Sequence, residues 1–386
     1  MINSRDNSAD LAKKLMDEFA EKTGLTDGGE GSQDRYLWTD AFAVQNFLAL
    51  SSIYDDEKYK NLARNLIDQV HYALGRFAPD DTRTGWISGL SEEEGKKHPT
   101  LNGLRIGKKE LERQKSEPFD STKEWDRDGQ YYHYHTRWIH ALLQAADPLE
   151  NEQLLTNAAE LCRAGRHFLH KANGEPRLYW KMSVDLSYPQ VTSMGAHDPL
   201  DGYLTALECS IMATDETDLS DYLETLEVVC SGKNWMTTDP LGLGGLLLNT
   251  VRSAELNRHT KLPESIRPRK LFEDTVQGLD KWEFQTSLSS SAKYRLAFRE
   301  CGLSLGLRVA DAYRDSFAHD NLDIHRLDDK QNIANDIELF WGDSDNRKQP
   351  VYLDHQNINH VSLASSLLAQ VEPEVYGVPK HRMTEK

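Results

Sequence analysis

Two kinds of helical pattern alternate along the whole chain, and this rhythm limits the folds open to it. Residues 36–54 (YLWTDAFAVQNFLALSSIY) are apolar nearly all round, as expected of a helix buried on every side. Residues 56–77 follow with Leu62, Leu66, Val70 and Leu74 on one stripe, opposed by Lys, Arg and Asp, which predicts a half-buried helix. Such a pair reads as the inner and outer members of a hairpin. The pattern recurs, with inner helices expected at 131–146, 201–214, 243–254, 297–313 and 359–371. Outer helices are expected at 151–171, 219–231, 266–279 and 329–340, and the amphipathic segment 9–22 can supply the sixth.

Helix starts carry their own signals. Asp198-Pro-Leu-Asp-Gly202 and Asp239-Pro-Leu-Gly-Leu-Gly244 each place Asp before Pro ahead of an inner helix, and their likeness points to a repeated hairpin. The glycines of LGLGGLLL suit close helix packing rather than a phosphate loop. Strand patterning is thin: 177–184 (RLYWKMSV) can form one strand of a short hairpin. The polar stretch 80–123 is too long for a plain connection and reads as a functional lid or a loop covering one rim. Residues 377–386 read as a loose tail, leaving 1–376 as one all-α domain.

The formal charge of −17, from 62 acidic and 45 basic residues, disfavours nucleic acid and anionic membrane as partners. Four cysteines without ligand-like spacing read as buried free thiols, and neither a secretory leader nor an 18-residue apolar run appears. The expectation is a cytoplasmic protein without cofactor or metal, acting on a small molecule, with a homo-oligomer left open.

Chemistry concentrates at the starts of the inner helices. The stretch EWDRDGQYYHYH (124–135) packs Trp125, Asp126, Asp128, Gln130, Tyr132, His133 and His135 together. RYLWTD (35–40) adds Tyr36, Trp38 and Asp40, Trp86, Asp198, Asp201 and Asn359 stand at comparable places, and Trp180 adds an aromatic face from the segment 177–184. Flat aromatic faces suit the C–H side of a sugar ring, and Asp, Gln, Asn and His supply directional bonds to hydroxyls. Trp138, with Leu142 one turn on, reads as core. Asp40 sits in an apolar helix, where a carboxylate is either functional or tied up by capping, Arg35 or Arg137.

Two catalytic schemes follow. Carboxylates such as Asp40 and Asp128 can serve as the acid and base of glycoside hydrolysis. His197 and His355, each beside an Asp at a helix start, can move protons next to a carbonyl. Asp128→Asn or His197→Ala is expected to abolish turnover at little cost in stability. Six hairpins of this kind close into an (α/α)6 toroid with long loops on one rim. On that rhythm and the polar-aromatic helix starts, the chain resembles the six-hairpin toroid superfamily, which includes many glycosidases and the N-acylglucosamine 2-epimerase group. The resemblance implies that the helix starts converge on one end of an axial cavity, and that His197 and His355 face each other across a sugar as in the epimerases. A glycoside hydrolase is the first reading. A sugar epimerase, a lyase or cyclase for an apolar isoprenoid-like ligand, and a non-catalytic binding toroid are the alternatives.

Overall fold

The computed structural model describes residues 4–26, 35–212, 218–282 and 288–379. Its described residues include twelve helices of eleven or more residues: α1 (Ser4–Lys22), α2 (Leu37–Tyr54), α3 (Glu57–Leu74), α4 (Tyr132–Ala146), α5 (Gln153–Ala164), α6 (Asp198–Met212), α7 (Ser220–Cys230), α8 (Pro240–Asn257), α9 (Pro268–Lys281), α10 (Ala297–Ala312), α11 (Gln331–Gly342) and α12 (Gln356–Leu368). The expected inner and outer segments fall on α2 to α12 in order, except that the outer segment 151–171 ends as a helix at Ala164 and passes through a 3-10 turn into a strand from Leu169, and that the end of 201–214 lies outside the described residues. No helix among the described residues is long and apolar enough to cross a membrane. The chain sorts into two compact units. One comprises Met1–Lys22, Gln45–Tyr59 and Cys230–Pro379, and the other Thr23–Val44 and Lys60–Val229.

In the first unit, α10 packs against α8, α11 and α12, and α1 lies on α12. Asp239 caps α8 by accepting from the Gly242 N–H at 2.8 Å, with Pro240 in the first turn, as its sequence predicts. Glycine lets α8 and α10 approach backbone to backbone: a Cβ on Gly244 would lie 2.0 Å from the Gly302 carbonyl oxygen. Gly244→Ala should therefore destabilise by about 1–3 kcal/mol through overpacking. A lower thermal midpoint with unchanged helical circular dichroism below it is the expected measurement, and an unshifted midpoint would refute the close approach.

Glu338 shows how this unit satisfies a buried carboxylate. Glu338 of α11 accepts from Ser304 and Ser366, each at 2.8 Å, from Arg308 and from Gln370. The expected loose tail is anchored at its start. Tyr376 donates to Asn46 Oδ1 at 2.7 Å and Val378 is buried, because both offer apolar surface that this unit covers. Residues 380–386 lie outside the described residues.

In the second unit, α4 packs on α5 and α6. Trp138 is fully buried, and its indole N–H donates to His71 Nε2 at 3.2 Å, as a core residue does. Two small antiparallel sheets accompany these helices. Strands β1 (Gln130–Tyr131), β4 (Lys181–Met182) and β5 (Pro189–Val191) form one in the order β1-β4-β5, while β2 (Leu169–Ala172) and β3 (Glu175–Leu178) form a hairpin. The single strand expected over 177–184 is thus two. The Trp180 N–H donates to the Ser193 carbonyl, which turns the chain from the hairpin into the three-stranded sheet.

The long stretch 80–123 is tied down along its length. The Thr100 hydroxyl reaches the Asn157 carbonyl at 2.8 Å and Glu160 at 2.9 Å, and His98 Nδ1 meets Glu160 as well. Arg83 pairs with Glu112, which also accepts the Val184 N–H. These bonds, several of them buried, make it a wrap fastened to α5 and the sheet.

Candidate active site

The residues singled out in the second unit fall into two groups. One group forms a partly exposed aromatic surface with buried charges behind it. The start of α2 contributes Tyr36 and Trp38, the β1–α4 junction Tyr131, His133 and Tyr134, and the chain ahead of β4 contributes Trp180. The His133 and Trp180 rings lie parallel, within 6° and 6.0 Å apart, while Trp38 meets His133 edge-on at 5.8 Å. Trp180 continues the surface to Tyr131 at 4.9 Å and to Trp125 at 5.2 Å, and Trp125 is 58% exposed. The Tyr36 and Tyr134 hydroxyls share a hydrogen bond.

Two carboxylates flank this surface from the first turn of α6. Asp198 accepts the Gly195 N–H at 3.2 Å and lies 4.0 Å from His133 Nδ1. Asp201 pairs with Arg137 at 3.1 Å, and the same guanidinium lies 5.9 Å from the Trp38 ring. Both carboxylates are almost fully buried. Burial, and next the negative charge of Asp201, push the Asp198 carboxyl up to about 7, against the pull of the Gly195 N–H. Burial lowers His133 to about 4, leaving a neutral imidazole near neutral pH. Two neighbouring carboxyls in unlike settings, one holding its proton and one bound to a guanidinium, form an acid with a charged partner.

The other group is committed to internal bonds. Asp40 reaches back to the Tyr36 N–H at 3.0 Å and lies 3.8 Å from Arg35, so it caps the start of α2. Burial raises its proton affinity against the pull of Arg35. Asp128, 1% exposed, is ion-paired to Arg105 and accepts from the Gly107 and Lys108 N–H groups. Gln130 donates to the Asn102 and Val184 carbonyls. Tyr132 shares its hydroxyl with Tyr222 at 2.7 Å, and His135 Nε2 lies 3.2 Å from the Leu104 carbonyl. Trp86 is 3% exposed, and a Cβ on Gly95 would strike its indole at 2.2 Å, so it pins the short helix of the wrap. Asp126 is exposed and His197 half-buried.

His355 and Asn359 belong to the first unit. His355 is exposed ahead of α12. Asn359 is buried, donating to the Tyr352 carbonyl at 2.9 Å and accepting the Phe298 N–H at 3.1 Å. Three participants were not named as candidates by the sequence. Tyr131 and Tyr134 lie in the stretch 124–135 without being singled out there, and Arg137 read as a partner for Asp40. Only the packing separates them from the other aromatic and basic residues.

No family model matches the sequence, and no curated protein matches it. Solved structures do. The alpha-1,6-mannanase GH76A from Salegentibacter sp. superposes with a TM-score of 0.51 at 12% identity, covering 95% of this chain and 99% of that one. An inactive variant of that enzyme with two aspartates replaced, in complex with alpha-1,6-mannotetrose, gives a TM-score of 0.52 at the same identity and coverage. The cellobiose 2-epimerase from Spirochaeta thermophila gives 0.50 at 13% identity, covering 94% and 97%. The chain has the (α/α)6 toroid fold. The resemblance read from the hairpin rhythm stands on that architecture.

Proposed function

We propose that this toroid is a carbohydrate-active enzyme, and specifically a glycoside hydrolase working at the aromatic surface of the second unit. The observation that carries the reading is Asp198. It is a buried carboxyl that retains a proton near neutrality, one helical turn from a second carboxylate and beside rings that can hold a sugar. Asp198 donates its proton to the glycosidic oxygen as the bond to the leaving sugar breaks, and water adds to the anomeric carbon, its released proton returning to the Asp198 carboxylate. Asp201, steadied by Arg137, raises the proton affinity of Asp198 and offers negative charge to the positive charge growing on the sugar. Trp38, Trp180 and the exposed Trp125 give the sugar apolar faces to lie on. The solved neighbours of this fold, an alpha-1,6-mannanase and a cellobiose 2-epimerase, support a saccharide as substrate.

An epimerase is the second reading, and His133 is the observation that favours it. Its neutral imidazole, 4.0 Å from Asp198, can take a proton that Asp198 or water returns. The density of charge at the site argues against an apolar isoprenoid ligand. Proton NMR of the protein with mannooligosaccharides and cellobiose in heavy water separates the readings. New reducing-end anomeric signals establish hydrolysis, and loss of the proton next to the carbonyl without new ends establishes epimerisation. A panel showing neither overturns the saccharide assignment.

A further inference from the structure

We infer that the site takes an anionic saccharide, and that Lys108 is the residue that reads the anion. The inference rests on the sugar-binding reading above and deepens it. Lys108 is half-buried, with its Nζ 5.5 Å from the centre of the Tyr36 ring. Among the described residues, no carboxylate lies within 4.0 Å of that ammonium. A lysine held against an aromatic face without an acid in reach is a free point charge, and a carboxylate or phosphate is its natural counterpart.

The backbone places this charge deliberately. Gly107 has φ +93°, and a Cβ there would lie 1.9 Å from the Arg35 carbonyl oxygen. The N–H groups of Gly107 and Lys108 both donate to Asp128 Oδ1, at 3.1 and 3.3 Å, while the other Asp128 oxygen is held by Arg105. Asp128 spends its charge on Arg105 and on two amides, so it orients the Lys108 backbone without neutralising the Lys108 side chain. Tyr36, under the ammonium, touches Tyr134 at 5.6 Å, and Tyr134 touches both Trp38 at 5.5 Å and His133 at 4.8 Å. The anion reader thus stands on the same aromatic surface as Asp198. In a chain of net charge −17, long-range repulsion works against an anionic ligand. A local free cation is what offsets it.

The test is a binding titration read by intrinsic tryptophan fluorescence, since Trp38, Trp125 and Trp180 line the surface. The probes are alpha-1,6-mannotriose, a glucuronate-bearing trisaccharide and mannose 6-phosphate, with free mannose as the neutral reference for the last. The expected result is anionic probes binding about tenfold more tightly than their neutral references, the size of one charge-assisted contact. That preference should shrink with added salt. Lys108→Met should abolish it while keeping neutral-sugar binding and the thermal midpoint, and Lys108→Arg should retain it. Comparing glucuronate with phosphate shows which anion the site prefers. Equal binding of neutral and anionic probes overturns the role of Lys108 and leaves the saccharide reading intact, as does an anion preference that survives Lys108→Met. Absence of binding by every sugar overturns the saccharide reading and this inference with it.

Discussion

Asp198→Asn is expected to cut turnover by about 10²- to 10⁴-fold, the range of general-acid catalysis, while making the folded chain more stable at alkaline pH. Asparagine keeps an oxygen for the Gly195 N–H but has no proton to give. The stability change follows from linkage. The Asp198 carboxyl is raised from 3.8 to about 7, first by burial and then by Asp201, so the folded protein holds a proton that the unfolded chain releases. Below about pH 4 both states are protonated and the group contributes nothing. As pH rises from about 4 to about 7 the folded state loses stability relative to the unfolded one, and above about 7 the penalty is complete, on the order of 4 kcal/mol. The variant avoids that cost. Its thermal midpoint should match the native protein near pH 4 and exceed it at pH 8, while native turnover falls as pH passes about 7. A substitution that stabilises and inactivates at once marks a functional group. A variant less stable at every pH would make Asp198 structural, and retained turnover would put the proton donor elsewhere.

Asp128→Ala is expected to behave in the opposite way, lowering stability by about 3–5 kcal/mol, the cost of leaving a buried partner charge unpaired. Arg105 would keep its bonds to the Arg76 and Ala73 carbonyls but lose its counter-charge, and the Gly107 and Lys108 amides would lose their acceptor. Guanidinium unfolding should show a lower midpoint for Asp128→Ala, while Asp126→Ala, two residues earlier and exposed, should stay within about 0.5 kcal/mol of native. Arg105→Met in the Asp128→Ala background should recover part of the loss, because removing both charges costs less than stranding one. An unchanged midpoint together with lost turnover would return Asp128 to the catalytic role its sequence position suggests.

The contrast between these aspartates shows where sequence reasoning succeeds. Both stand at the starts of apolar helices, and both were legible as candidates for that reason. Asp198 came out of the sequence as a contact for substrate and Asp128 as a catalyst. What separates them is which cation lies close by: Arg105 pairs with Asp128, whereas Arg137 pairs with Asp201 and leaves Asp198 facing His133. Those partners lie 23 to 65 residues away, beyond any local pattern.

The sequence by itself determined the helices, their order and their alternating burial. Apolar periodicity, Asp-Pro starts and glycines are local signals that each segment obeys wherever it packs, as Asp239 capping α8 and Gly244 against α10 show. It also singled out Trp38, Trp180 and the Glu124–His135 neighbourhood as unusual. Only the tertiary structure decided which polar residues were satisfied and which were left free to act. Asp40 became a cap, Gln130 and His135 became internal fasteners, and Lys108 kept an unpaired charge. The reason is that protonation and availability are set by burial and by charges within a few ångströms, and those neighbours are brought together by folding.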